Sequence, residues 1–159
     1  MILHVTGPHC AGKTYIIERF LKKRSVAVWD VLNFYERFGF IRDNTIYYSN
    51  WRKIFKEIKS DLKGFIEENA GAKMIIVESS GTNQHVNELL MSVSQDGISV
   101  RSVMLNFPTD EELTVRASKR GVPIQKAKEI NNSIRSVAKG EGIDQDRALN
   151  LMHQVYDEL

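Results

Sequence analysis

Eight residues constrain this chain more than any others: Gly7-Pro8-His9-Cys10-Ala11-Gly12-Lys13-Thr14. Ahead of them, residues 2–6 form a short apolar run rich in β-branched side chains, which reads as a buried strand. Behind them the period changes, and Ile16, Ile17, Phe20 and Leu21 recur at helical spacing. A Gly-x-x-x-x-Gly-Lys-Thr loop between a strand and a helix turns successive backbone N–H groups toward one anion. Gly7 and Gly12 supply the unusual backbone angles, and the positive end of the next helix faces the same anion. The expected ligand is a nucleoside triphosphate with magnesium, contacted by Gly7, Pro8, His9, Cys10, Ala11, Gly12, Lys13, Thr14 and Tyr15. Lys13 is placed to reach the β- and γ-phosphates, and the Thr14 hydroxyl to ligate the metal.

The rest of the chain repeats the alternation of strand and helix. Residues 25–29, 73–77 and 100–107 read as further strands, and residues 84–93 as a helix. A long helix follows Ser49-Asn50, with Trp51, Ile54, Phe55, Ile58, Leu62, Phe65 and Ile66 on one face, and ends at Ala70-Gly71. Pro108-Thr109 opens another helix, where Thr109 and Glu112 have capping-box spacing. Residues 123–159 read as helices broken near Gly140-Glu141-Gly142. Such alternation implies a mainly parallel sheet covered on both faces. The expected fold is therefore a three-layer α/β/α domain of four to five strands spanning residues 1–159.

A length of 159 residues suits one domain, and a net charge of +2 is too mild for a dedicated nucleic-acid binder. The single cysteine, Cys10, excludes an intrachain disulfide. No apolar run approaches the roughly 20 residues of a membrane helix. Residues 1–5 read as strand rather than as a signal peptide, so a cytoplasmic protein without membrane contact is expected.

With its loop in that context, the chain resembles the P-loop kinases of the nucleotide-kinase and polynucleotide-kinase type, within the P-loop NTPase superfamily. The resemblance implies an ATP- and Mg²⁺-dependent phosphotransferase acting on a small acceptor. It gives roles to an acidic residue after the second strand, one after the third, and a late Arg-x-x-x-Arg segment. Asp30, Glu78 and the pair Arg116 and Arg120 stand at those places. By resemblance, Asp30 orients or deprotonates the acceptor hydroxyl, Glu78 serves the metal, and Arg116 with Arg120 close on the transferring phosphoryl group within a lid-like region, 109–135. The family commonly has Asp where Glu78 stands, and it usually has a fifth strand near the C-terminus for which no convincing segment is found.

Each candidate also has a plainer reading. Asp30 is a good N-cap for a following helix. Glu78 suits a loop anchor, and Arg116 with Arg120 a solvated helix face. Residues 31–72 correspond to the family's acceptor-binding region. Nine of the fourteen aromatic residues fall between Trp29 and Phe55, where rings either stack on a base or build a small core. Tyr35, Arg37 and Ser79 join Asp30 as candidate acceptor contacts. Arg52, Lys56, Lys59 and Lys63 form a basic stripe that either tracks a nucleic-acid strand or is a solvated face; the second is favoured, because Glu57 and Asp61 interleave with it. Two other functions stay open: an NTPase whose hydrolysis drives a conformational change, and a non-catalytic nucleotide-binding domain.

Overall fold

The computed structural model describes residues 1–22, 24–31, 41–42, 45–46, 51–80, 84–138 and 140–159, with backbone alone at 41–42, 45–46 and 51–54. Tyr35 and Arg37, most of the aromatic cluster, the caps Ser49 and Asn50, and Gly81 and Thr82 lie outside the described residues. The elements are β1 (Ile2–Thr6), α1 (Lys13–Leu21), β2 (Val26–Trp29), β3 (Ile41–Arg42), β4 (Thr45–Ile46), α2 (Trp51–Glu68) and β5 (Met74–Ser79). They continue as α3 (Gln84–Gln95), β6 (Val100–Met104), α4 (Asp110–Lys119), α5 (Ile124–Val137) and α6 (Gln145–Asp157).

Four strands form one parallel sheet in the order β2-β5-β1-β6. Strand β1 is central and buried along its whole length, as an apolar run bounded by a glycine turn predicts. The short antiparallel pair β3–β4 has no counterpart in the reading of the sequence, because two-residue strands carry no periodic signal.

Side chains alternate across the sheet, so each strand feeds two cores. On one face Ile2, Ile75 and Val77 meet Ile58 and Leu62 of α2 and Val86, Leu89, Leu90 and Val93 of α3. On the other, Leu3, Val5, Met74 and Ile76 meet Ile16, Ile17 and Phe20 of α1 and Ala148, Met152 and Val155 of α6. These are the three layers expected. Helices α4 and α5 enclose a smaller cluster of Cys10, Leu113, Ala117 and Ala127.

The fifth strand is reduced to one residue pair. Ile143 bridges Leu105 in parallel, donating its N–H to the Met104 carbonyl at 2.8 Å and accepting from Asn106 N–H at 3.0 Å. Gly142 is required just before it, since a Cβ there would collide with the backbone of Leu105 and Asn106. Strand β5 runs to Ser79, so Glu78 lies inside the strand and not past its end. The strand after α3 is shorter than expected and stops at Met104.

The basic stripe of α2 is partly neutralised by α3. Lys59 and Lys63 reach Asp96 at 3.2 and 2.6 Å, and Lys59 also donates to Ser92 Oγ at 2.6 Å. Among the described residues no helix is long and apolar enough to cross a membrane.

His4 is buried in β1 and bonded through Nε2 to Ser79 Oγ of β5. Burial lowers its pKa from 6.5 to about 4. The unfolded chain therefore binds the extra proton first as pH falls, and stability drops between about 6.5 and about 4. A shift of this size corresponds to about 3 kcal/mol. Urea unfolding at pH 7.5 and pH 4.5 should show that loss in the native chain, and His4→Gln should remove most of it. Equal pH dependence in both proteins would exclude His4 as its source.

Candidate active site

Local geometry in the loop between β1 and α1 depends on three left-handed or glycine-favoured residues. Gly7 has φ 152°, Cys10 φ 59° and Gly12 φ 95°. Cys10 is the only non-glycine residue with positive φ among those described, and its side chain is buried. It is thus an apolar anchor between the loop and the α4–α5 cluster. Gly12 meets a second constraint, because a Cβ there would collide with the Gln145 side chain.

Every carbonyl from Gly7 to Gly12 has a donor. Lys13 Nζ donates to the oxygens of Gly7 at 2.8 Å and Pro8 at 2.9 Å. Asn131 Nδ2 donates to His9 O at 2.9 Å, while its Oδ1 accepts from His9 N–H at 2.8 Å. Arg116 Nη1 donates to Cys10 O at 2.9 Å, and Gln145 Nε2 to Ala11 O at 2.9 Å. The first helical bond, from Ile16 N–H at 3.0 Å, satisfies Gly12 O. Amide and carbonyl of one peptide unit point in opposite directions, so tying the His9 and Ala11 carbonyls turns the amides of Cys10 and Gly12 the other way, while Ala11 N–H is used by Pro8 O at 3.3 Å.

Helix α1 continues the same theme. Its N-cap is Gly12, with no side-chain cap and no acid in the first turn. By contrast, Thr109 and Glu112 cap α4 in the expected capping box, and Asp144 caps α6 by accepting from Arg147 N–H. The first N–H groups of α1 remain for an anion.

Charge gathers beside these groups. Burial lowers the Lys13 pKa, the Glu78 carboxylate opposes that shift, and Arg120 reinforces it. Burial and the charges of Arg120 and Lys13 likewise lower that of His9. The His9 ring is only partly covered, yet its Nε2 is enclosed without a hydrogen-bond partner. A cavity of about 290 Å³ opens here, lined by Cys10, Gly12, Tyr15, Arg116, Lys119, Arg120 and Gln145. A second, of about 410 Å³, shares Arg116 and Gln145 and extends along Leu105, Asn106, Phe107, Pro108 and Asp146.

Strand alternation decides which face each acid serves. Glu78 shares the face of Met74 and Ile76, toward α1, and its Oε1 accepts from Thr14 Oγ1 at 3.3 Å. The two candidate metal ligands are therefore together. Both offer hard oxygen, which suits Mg²⁺, an ion that keeps most of its waters and uses few protein ligands. Among the described residues no group of three or more His, Cys, Asp or Glu is arranged around a metal. Ser79, on the opposite face, is bonded to His4.

Asp30 is exposed at the end of β2, and Trp29 pairs with Val77, so Asp30 stands level with Glu78. Any helix it caps lies outside the described residues. Arg116 is engaged twice, by Cys10 O and by Glu112 at 2.7 Å. Arg120 is the C-cap of α4 rather than a residue inside the helix, and it lines the smaller cavity. Asn131 and Gln145 went unnoticed in the sequence. Both are polar residues within or opening a helix, and neither falls in a motif.

The architecture can be compared with solved structures. Similar folds include one chain of the Pnkp1/Rnl/Hen1 RNA repair complex, at 13% identity and TM-score 0.60 over 91% of this chain and 48% of that one. Shikimate kinase from Aquifex aeolicus matches at 16% identity and TM-score 0.52, covering 99% of this chain and 97% of that one. A sugar kinase from Janibacter sp. matches at 16% identity and TM-score 0.59, covering 99% and 94%. This chain thus spans about half of the RNA repair chain and nearly all of the other two. No protein-family model and no curated protein sequence matches it. The parallel sheet with its flanking helices has the fold of a P-loop kinase.

Proposed function

We propose that this chain is a small ATP- and Mg²⁺-dependent phosphotransferase that moves the γ-phosphoryl group to a nucleoside, nucleotide or similar small acceptor. One observation carries the reading: a glycine-bounded loop whose carbonyls all have donors opens directly onto Lys13 and the Thr14–Glu78 pair. Such an arrangement has the amides of Cys10 and Gly12 fixed before any ligand arrives, with Lys13 held alongside on the Gly7 and Pro8 carbonyls, which is where electrostatic preorganisation acts.

The residues divide the work by position. Loop amides and the open end of α1 hold the phosphates. Lys13 leaves the carbonyls of Gly7 and Pro8 for the β- and γ-oxygens. Arg116, Lys119, Arg120 and Tyr15 surround the space for the rest of the nucleotide. Thr14 and Glu78 would hold Mg²⁺, which when bound would offset phosphate charge. Arg120 is the closing cation, because Arg116 is already fastened to the loop. Asp30, level with Glu78 at the strand ends, takes the acceptor hydroxyl. Ligands of open α/β sheets collect beyond those ends.

The direct test measures ADP from ATP and Mg²⁺, alone and with pools of nucleosides, nucleoside monophosphates, 5′-hydroxyl oligonucleotides and small hydroxy acids. ADP should rise with one pool. Release that no pool increases would leave a hydrolase or a binding domain. Lys13→Ala should cut turnover by about a hundredfold or more without unfolding the chain. Full activity in that variant would end the assignment. Asp30→Asn should lower kcat with the acceptor far more than it raises the KM for ATP; equal losses would favour a capping role. Glu78→Gln should raise the Mg²⁺ concentration for half-maximal rate about tenfold, and an unchanged requirement would remove Glu78 from the metal site.

A further inference from the structure

We infer that Asn131 is a positioning residue for the phosphate loop and that the α4–α5 hairpin is a fixed brace on that loop, an inference that rests on the phosphotransferase reading. Asn131 lies in the second half of α5, is buried, and is far in sequence from the loop. Both ends of its amide are used by one residue: Oδ1 takes His9 N–H and Nδ2 gives to His9 O. This is the double exchange that two strands make in an antiparallel hydrogen-bonded pair. It requires the N–H and C=O of His9 to point to the same side, away from the phosphate space.

The next residue explains why that matters. Cys10 turns into the left-handed region at φ 59°, a strained conformation for a non-glycine residue that persists only when its surroundings impose it. Here the surroundings are the hairpin. Cys10 is buried against Leu113 and Ala117 of α4 and Ala127 of α5, and its carbonyl is held by Arg116 of α4. Ala127 stands one helical turn before Asn131 on the same buried face of α5. One face of α5 therefore fixes His9 by hydrogen bonds and, with α4, fixes Cys10 by packing. Together these set the reversal that aims the following amides at the ligand.

A neutral amide suits the position. Asn131 brings no charge to a loop whose His9 and Lys13 already feel Arg120. A lysine or arginine could satisfy His9 O but not its N–H, and an aspartate the reverse. Only a carboxamide of this length serves both groups.

The test is ATP binding by calorimetry, with kcat, KM for ATP and the unfolding midpoint, on the full chain and two variants. Asn131→Leu keeps shape and removes both bonds. Asn131→Asp keeps the acceptor for His9 N–H and loses the donor. Each should weaken ATP binding and raise the KM for ATP about tenfold or more at a temperature where all proteins are folded. The KM for the acceptor should stay within about twofold, since the acceptor lies on the other side of the sheet ends. Folded variants that lose stability but bind ATP as the native chain does would overturn the inference, leaving Asn131 as a satisfied core residue while the phosphotransferase reading stands. A native chain that binds no nucleotide would overturn both. If neither variant folds, Arg116→Lys and Cys10→Ala serve instead, and unchanged ATP affinity in both would overturn the brace.

Discussion

The structure depends on where the carbonyls of residues 7–12 go. A loop of this length between a buried strand and a helix has a full set of backbone donors and acceptors, and any acceptor left unpaired next to phosphate would repel it. Here four side chains from four helices satisfy those of residues 7–11, Lys13 of α1, Asn131 of α5, Arg116 of α4 and Gln145 of α6, and the Ile16 N–H satisfies Gly12. The consequence is collective. Opposite the secured carbonyls of His9 and Ala11 the amides of Cys10 and Gly12 are turned the other way, so the helices that surround the sheet also set the polarity of the site.

Sheet geometry supplies the other half. Parallel pairing brings the ends of β2, β5 and β1 to one edge, and the alternation of side chains then separates neighbours that are adjacent in sequence. Glu78 faces α1 and meets Thr14; Ser79 faces α2 and α3 and meets His4. One residue of register thus separates a hard-oxygen pair beside the loop of residues 7–12 from a buried histidine with a hydroxyl partner. The first suits a charged ligand. The second is a neutral pair within the core.

The α4–α5 hairpin joins these parts. Arg116 and Arg120 sit one turn apart, and a sequence reading treats them as equivalent cations. Packing makes them different. Arg116 lies over the loop, between Cys10 O and Glu112, whereas Arg120 falls at the helix end beside Lys13 and His9. A small apolar cluster around Cys10 keeps the hairpin in place where larger cores cannot reach.

The sequence by itself determined what local chemistry can encode. The glycines of the loop, the apolar runs of β1 and β5, the stripe of α2 and the Thr109–Glu112 box each carry their signal in neighbouring residues, and the parallel three-layer fold follows from their alternation. Thr14 and Glu78 were recognisable by place in the chain, although their contact was not. Tertiary structure alone decided the rest. That Cys10 is an anchor, that Asn131 and Gln145 hold the loop, and that Ile143 stands in for a fifth strand all involve partners more than thirty residues apart. Such pairings leave no periodicity to read. A buried asparagine looks like any polar helix residue until the backbone it satisfies is folded against it.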